Sequence, residues 1–359
     1  MSATKSPMKP NEALECARAV LKENIILPLV KNNKGGILEA HCVRDGQIEY
    51  RYHRTSDDYL ANIGQTTGTV LRQGEIPDNL DIGLALWLFG PERVETPSVV
   101  YRALSQLVSI GGNILVASEA PWPGKILSLG EYAEYTPEET IGCLVRAGFE
   151  SIGEVIGGPF FRLFSGKRSH SKIYLSLMEA QDLLTEGNWE EAQIVLEKVK
   201  DPLLSLEAVR EYALLVAACH DLAGRSVECL EALSEALNLD STCSRAMCGL
   251  GRMALLRGDL GSAEEFFSAA LRHQPSLVAA LHGKAVVMEA AGKMDEAFET
   301  MVAASDLRPG NHDLMSEAMR IGNEIGRGEE VSRFLQHRIG NPVVRPSVED
   351  IMEGPRSSV

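Results

Sequence analysis

The residues best suited to chemistry sit in the first third of the chain. Glu39 closes the run Gly35-Gly36-Ile37-Leu38, His41 and Cys42 follow it, and His53 comes a short way on. Two imidazoles and a thiol so close together, His41, Cys42 and His53, could hold a metal, but their spacing matches no recognised ligand pattern. Packed or exposed side chains are the simpler reading. Cys219-His220 sets a nucleophile beside a base, yet adjacent residues on a helix point to different faces and make no working pair. Asp57-Asp58, in HRTSDDYL, reads as a helix start capped by Ser56 or Asp57. No phosphate-binding G-x-x-x-x-G-K-[ST], no G-x-S-x-G and no H-E-x-x-H occurs.

The elements that must position these residues are of two kinds. The 359-residue chain carries a net charge of −15. A field of that sign repels phosphate backbones and anionic lipid, so neither nucleic acid nor a membrane is an expected partner. Up to residue 168 there are 17 basic and 20 acidic residues; after it there are 18 and 30. The first part alternates short β-branched runs with helical segments, whereas the second is rich in Ala, Leu and Glu. The reading is a tail and helix over 1–34, an α/β domain over 35–168, a linker at 169–172, a helical array over 173–345 and a mobile tail at 346–359. The amino terminus shows no apolar stretch of the secretory kind, and no apolar run could span a bilayer. The seven cysteines are scattered without a C-x-x-C pair and read as reduced thiols. The expected compartment is the cytoplasm.

The second half repeats itself. Gly224, Gly258, Gly292 and Gly326 are spaced by 34, and Gly187 precedes them by 37. Each lies between two amphipathic stretches, where a left-handed residue ends one helix and acidic residues open the next. Small residues recur after the turn at Ala192, Cys229, Ala263 and Ala297, and large ones at Leu196, Leu233, Phe267 and Met301. A 34-residue period of two helices with these positions resembles the tetratricopeptide repeat. The units are 173–206, 210–243, 244–277, 278–311 and a degenerate 312–345. The resemblance implies that the first helix of each unit lines a groove for a protein or peptide. Its expected lining includes Tyr174, Gln181, Glu211, Asp221, Arg245, Arg252, His282 and Glu289. The Lys and Asn positions that read chaperone carboxylates are lacking. The expected partner segment carries apolar anchors and some basic residues.

In the first half, residues 78–90 read as an acidic entry into a buried strand, 97–108 as an amphipathic helix, and 108–121 as a helix end, a Gly-Gly turn and a strand. Thr136 caps and Pro137 opens a helix ending at Gly148, and 150–168 reads as a closing strand pair. With Asp81, Gly111-Gly112, Thr136 to Glu139 and Ala147-Gly148-Phe149 in this order, the segment resembles the carboxy-terminal half of class I S-adenosylmethionine-dependent methyltransferases. That resemblance implies a Rossmann-like α/β sheet, with Glu39, Gly46, Glu75 and Asp81 as the candidate cofactor contacts. The front end departs from the family. His41 and Val43 stand where glycines should let the backbone approach a nucleoside. Asp45-Gly46 favours a tight turn, so strand, turn and strand over 36–53 reads as a hairpin in place of a parallel crossover.

The fold class expected is therefore α/β plus all-α: a degenerate Rossmann-like methyltransferase domain followed by a repeat solenoid. The function expected is a protein-interaction scaffold, its methyltransferase-like domain an inactive docking module that needs no cofactor. The alternative is an S-adenosylmethionine-dependent methyltransferase that recognises its substrate through the repeats.

Overall fold

A computed structural model describes residues 21–42, 48–61, 69–71, 80–88, 97–119, 135–156, 161–199, 205–308 and 311–331. A π-helical turn, α1 (Lys22–Ile26), runs into α2 (Leu27–Asn32). Then come β1 (Gly36–Cys42), β2 (Ile48–His53), α3 (Ser56–Ala61), β3 (Thr69–Leu71) and β4 (Ile82–Leu88). The first half closes with α4 (Pro97–Leu107), β5 (Val108–Glu119), α5 (Pro137–Arg146), β6 (Phe149–Ile156) and β7 (Phe161–Arg168).

The strands form one sheet in the order β3-β2-β1-β4-β5-β7-β6. β1, β4 and β5 are parallel, β7 runs against both β5 and β6, and β2 runs against both β1 and β3. The expected hairpin over 36–53 is present, with Ile37 opposite His53 and Cys42 opposite Ile48. Asp45-Gly46 lies outside the described residues. β4 is apolar almost throughout because both faces of a central parallel strand are covered. Trp87, Ala85 and Ile82 pack with Val100, Tyr101 and Leu104 of α4 and Leu144 of α5. Leu84, Leu86 and Leu88 pack on the other side with Ile26, Val30 and Tyr59.

Two local expectations need correcting. The Gly111-Gly112 pair is no separate turn; it lies inside β5, where Gly111 takes a φ of +82° and the pairing with β4 slips. Helix α3 is capped by neither Ser56 nor Asp57. Thr55 Oγ1 accepts from the Asp58 amide at 3.1 Å, which leaves the Ser56 hydroxyl to donate to the Val30 carbonyl at 2.7 Å. At α5 the expectation holds. Thr136 and Glu139 form a reciprocal capping box with Pro137 at the first turn.

After Arg168 the described chain is helical: α6 (Lys172–Thr185), α7 (Trp189–Glu197), α8 (Leu206–Leu222), α9 (Ser226–Leu239), α10 (Ser244–Leu256), α11 (Leu260–His273), α12 (Val278–Ala290), α13 (Met294–Leu307) and α14 (His312–Glu324). Gly187, Gly224, Gly258, Gly292 and Gly326 all have φ between +70° and +82°. A side chain at such a φ is strained, so the recurring glycine is a backbone requirement. The small residues at 192, 229, 263 and 297 are all buried, as the close approach of paired helices demands. The last part of the final expected unit, beyond residue 331, lies outside the described residues. Among the described residues no helix is long and apolar enough to cross a membrane.

Candidate functional site

Two places were singled out by sequence, the front of the sheet and the face of the first repeat helices. At the front, Glu39 sits on β1 level with Leu86, near the carboxyl end of β4. Its carboxylate lies 3.3 Å from His53 Nε2, and both side chains are largely buried. Tyr59 closes the group, edge-on to the His53 ring at 5.1 Å. Burial first, and the Glu39 charge second, push the Tyr59 phenol well above its ordinary pKa. Glu39 thus faces an imidazole and a phenol of its own chain. β2 pairs antiparallel with β1, where the family's parallel crossover would need a helix between them. Among the described residues, the sheet therefore has no helix amino terminus directly after its first strand to offer amides to a ligand.

Asp81 is at the other end of the sheet, one residue before β4 begins. Its carbonyl accepts from the Gly36 amide at 2.7 Å and its carboxylate from the Ser109 hydroxyl at 2.9 Å. It ties the starts of β1, β4 and β5 together, whereas open α/β sheets bind ligands at the carboxyl ends of their strands. Asp81 and Glu39 are therefore not brought together as one site. Gly46 and Glu75 lie outside the described residues.

The face of the first repeat helices is partly covered by the chain itself. Helix α5 packs with its inner side in the sheet core and its outer side on α6 and α8. Ile141 and Ile152 belong to both cores, and Val145 packs with Tyr174, Leu177 and Leu215. Three charged contacts extend this packing. Glu138, in the first turn of α5, accepts from the Ser244 amide at 2.9 Å and the Arg245 amide at 3.1 Å, so it caps α10 from outside. The Cys243 thiol also points at Glu138, and burial together with that carboxylate raises its pKa to about 12. Glu139 gives one oxygen to the capping box and the other to Arg308 at 3.0 Å, while the Arg308 guanidinium lies 4.0 Å above the Tyr135 ring. At the far end of α5, Arg146 donates to Glu211, whose second oxygen accepts from Arg245 at 2.5 Å.

Glu211 is completely buried. Burial alone would raise its pKa, but Arg245 and Arg146 outweigh it and hold the carboxyl at about 2. Gly142 sits directly over this triad. A Cβ there would come within 2.6 Å of both Arg245 Nη1 and Glu211 Oε1. Helix α4 adds a further contact, with Arg102 paired to Asp182 of α6.

The groove expectation is corrected accordingly at three residues. Tyr174 and Glu211 are buried under α5 and cannot line an open surface. The Arg245 side chain is turned into the same joint by Glu211, and its backbone amide is held there by Glu138. The others remain accessible. Gln181 is bonded to Thr185 at 3.2 Å. Asp221 and Arg252 pair across α8 and α10 at 2.7 Å. His282 meets Glu317 at 2.9 Å, and Glu289 meets Arg320 at 2.8 Å, both across α12 and α14. Sequence reasoning missed Glu138, Glu139, Gly142, Arg146 and Arg308. One signal was available: a glycine inside a helix costs about 1 kcal/mol against alanine and points to a close approach.

No protein-family profile matches the chain, and no curated protein matches it. Among solved structures it is similar to a crystal structure of MamA protein, at 17% identity over 48% of this chain and 98% of that one, with a TM-score of 0.36. It is similar also to MamA from residue 41 onward of Desulfovibrio magneticus RS-1, at 15% identity over 47% of this chain and 94% of that one, with a TM-score of 0.36.

Proposed function

We propose that the chain is a protein-interaction scaffold. Its tetratricopeptide-like array presents a binding face, and a methyltransferase-like sheet without cofactor function is built into that array as a docking module. The observation that carries this reading is the joint at α5. Helix α5 takes the amino ends of α6, α8 and α10 in the way a partner helix would, through buried aliphatic contacts and charged end groups. The neighbouring part of the same face keeps accessible, cross-paired side chains on α8 to α14.

The strand order with β7 inserted antiparallel between β5 and β6 supports descent from the methyltransferase sheet. The antiparallel β1–β2 pair, and the engagement of Glu39 by His53, argue against retention of the cofactor. Isothermal titration of the full chain with S-adenosylmethionine tests this, with no binding heat expected. Micromolar affinity, abolished by Glu39→Gln, would replace the scaffold with a methyltransferase that reads its substrate through the repeats.

A further inference from the structure

The part of the repeat face that α5 leaves open has a chemistry of its own. It runs from the carboxyl end of α8 across α10 and α12 to α14 and continues directly from the α5 joint, since Arg245 and Arg252 stand on one helix. Carboxylates outnumber cations along it. Asp221, Glu289 and Glu317 face Arg252 and Arg320, with His282 between. Asp313, on the first turn of α14, and Glu324, on its last, are also exposed and add to the excess. Each cross-helix pair is open to water, so an incoming cation can take a carboxylate without desolvating a core. Ala279 and Val286 supply small apolar contacts between the charges. The covered half of the face holds its segment by the same combination of aliphatic contact and complementary charge.

We infer that this open face docks a lysine- or arginine-bearing segment of a partner protein, laid across α10, α12 and α14 with its cations on Glu289 and Glu317. The inference deepens the scaffold reading and rests on it. Neighbouring packed helices lie roughly 8–10 Å apart, so three of them take an extended segment of about eight residues.

The test uses the full chain and two fluorescein-labelled dodecapeptides, one carrying four lysines and three leucines among serines, the other with glutamate for each lysine. Fluorescence anisotropy should show the lysine peptide binding at least tenfold more tightly, with the advantage shrinking as salt rises. The double variant Glu289→Lys/Glu317→Lys should lose that preference. Glu231→Lys/Glu235→Lys makes the same charge change on the exposed side of α9 and should keep it. Equal loss in both double variants would reduce the effect to net charge and overturn the assignment. So would wild-type affinity in the first, or no binding of either peptide at about 1 mM, where association is worth only about 4 kcal/mol. A failed peptide series with a flat S-adenosylmethionine titration removes this surface alone; micromolar binding of that cofactor removes the scaffold reading beneath it.

Discussion

Replacing Glu211 by glutamine probes the joint between the two halves. The side chain is fully buried, and its two oxygens are divided between Arg146 and Arg245. Its pKa stands at about 2 against an ordinary 4.5. A carboxyl depressed in the folded state contributes stability that is complete above the unfolded value and is lost as pH falls towards the folded one. That gap is worth about 3 kcal/mol. An independent route gives the same size, because stranding one side of a buried ion pair generally costs about 3–5 kcal/mol. Glutamine preserves the volume but cannot neutralise two guanidiniums. Urea unfolding of the full chain at pH 7 should therefore show Glu211→Gln less stable by about 3 kcal/mol. At pH 3 the unfolded carboxyl is already protonated, and the difference between variant and wild type should shrink to about 1–2 kcal/mol. A loss below about 1 kcal/mol at pH 7, or a difference that does not shrink in acid, would refute the account of a charged, buried joint.

Three further substitutions test neighbouring parts of the argument. Gly142→Ala drives a methyl group into Arg245 and Glu211 and should cost roughly 1–3 kcal/mol in thermal unfolding, although alanine favours helices. Glu138→Ala removes the external cap of α10 and should cost about 0.5–2 kcal/mol, with faster hydrogen exchange confined to the amides of Ser244 and Arg245 and their neighbours. Gly258→Ala meets no steric contact, so its cost of about 1 kcal/mol in urea should come from the left-handed backbone alone.

Much of the fold is legible because its signals are local. The 34-residue glycine spacing states a backbone requirement that each turn satisfies by itself, and every one of the five glycines has the positive φ it calls for. The Thr136-Pro137-x-Glu139 start of α5 and the hairpin over 36–53 are equally short-range. The joint is a different matter. Glu211 looks like a groove residue because its position in the repeat is a lining position, and nothing near it in sequence announces Arg146, 65 residues away. Arg308 and Glu139 are separated by 169 residues. A buried charge pair is invisible in one sequence because each member alone reads as a solvated surface residue.

The charges at the joint have a consequence that apolar packing alone would lack. The aliphatic contacts of α5 with the array, at Ile141 and Val145, lie against α6 and α8, and a smooth apolar stripe tolerates sliding. Its charged contacts fall on three other points: the amino terminus of α10, Arg308 after α13, and Glu211 in the first turns of α8. Three such points on three elements define one position and one rotation of the helix, since any slip strands a carboxylate or a guanidinium in the interior. Because α5 is also in the sheet core, fixing α5 fixes the whole sheet against the array. A fragment cut at the end of β7 would then keep the repeat helices but expose Glu211, Arg245 and the apolar patch around Tyr174 and Leu177 to water. Partner capture by such a fragment would report a surface that the intact chain does not present, so binding belongs with the full chain.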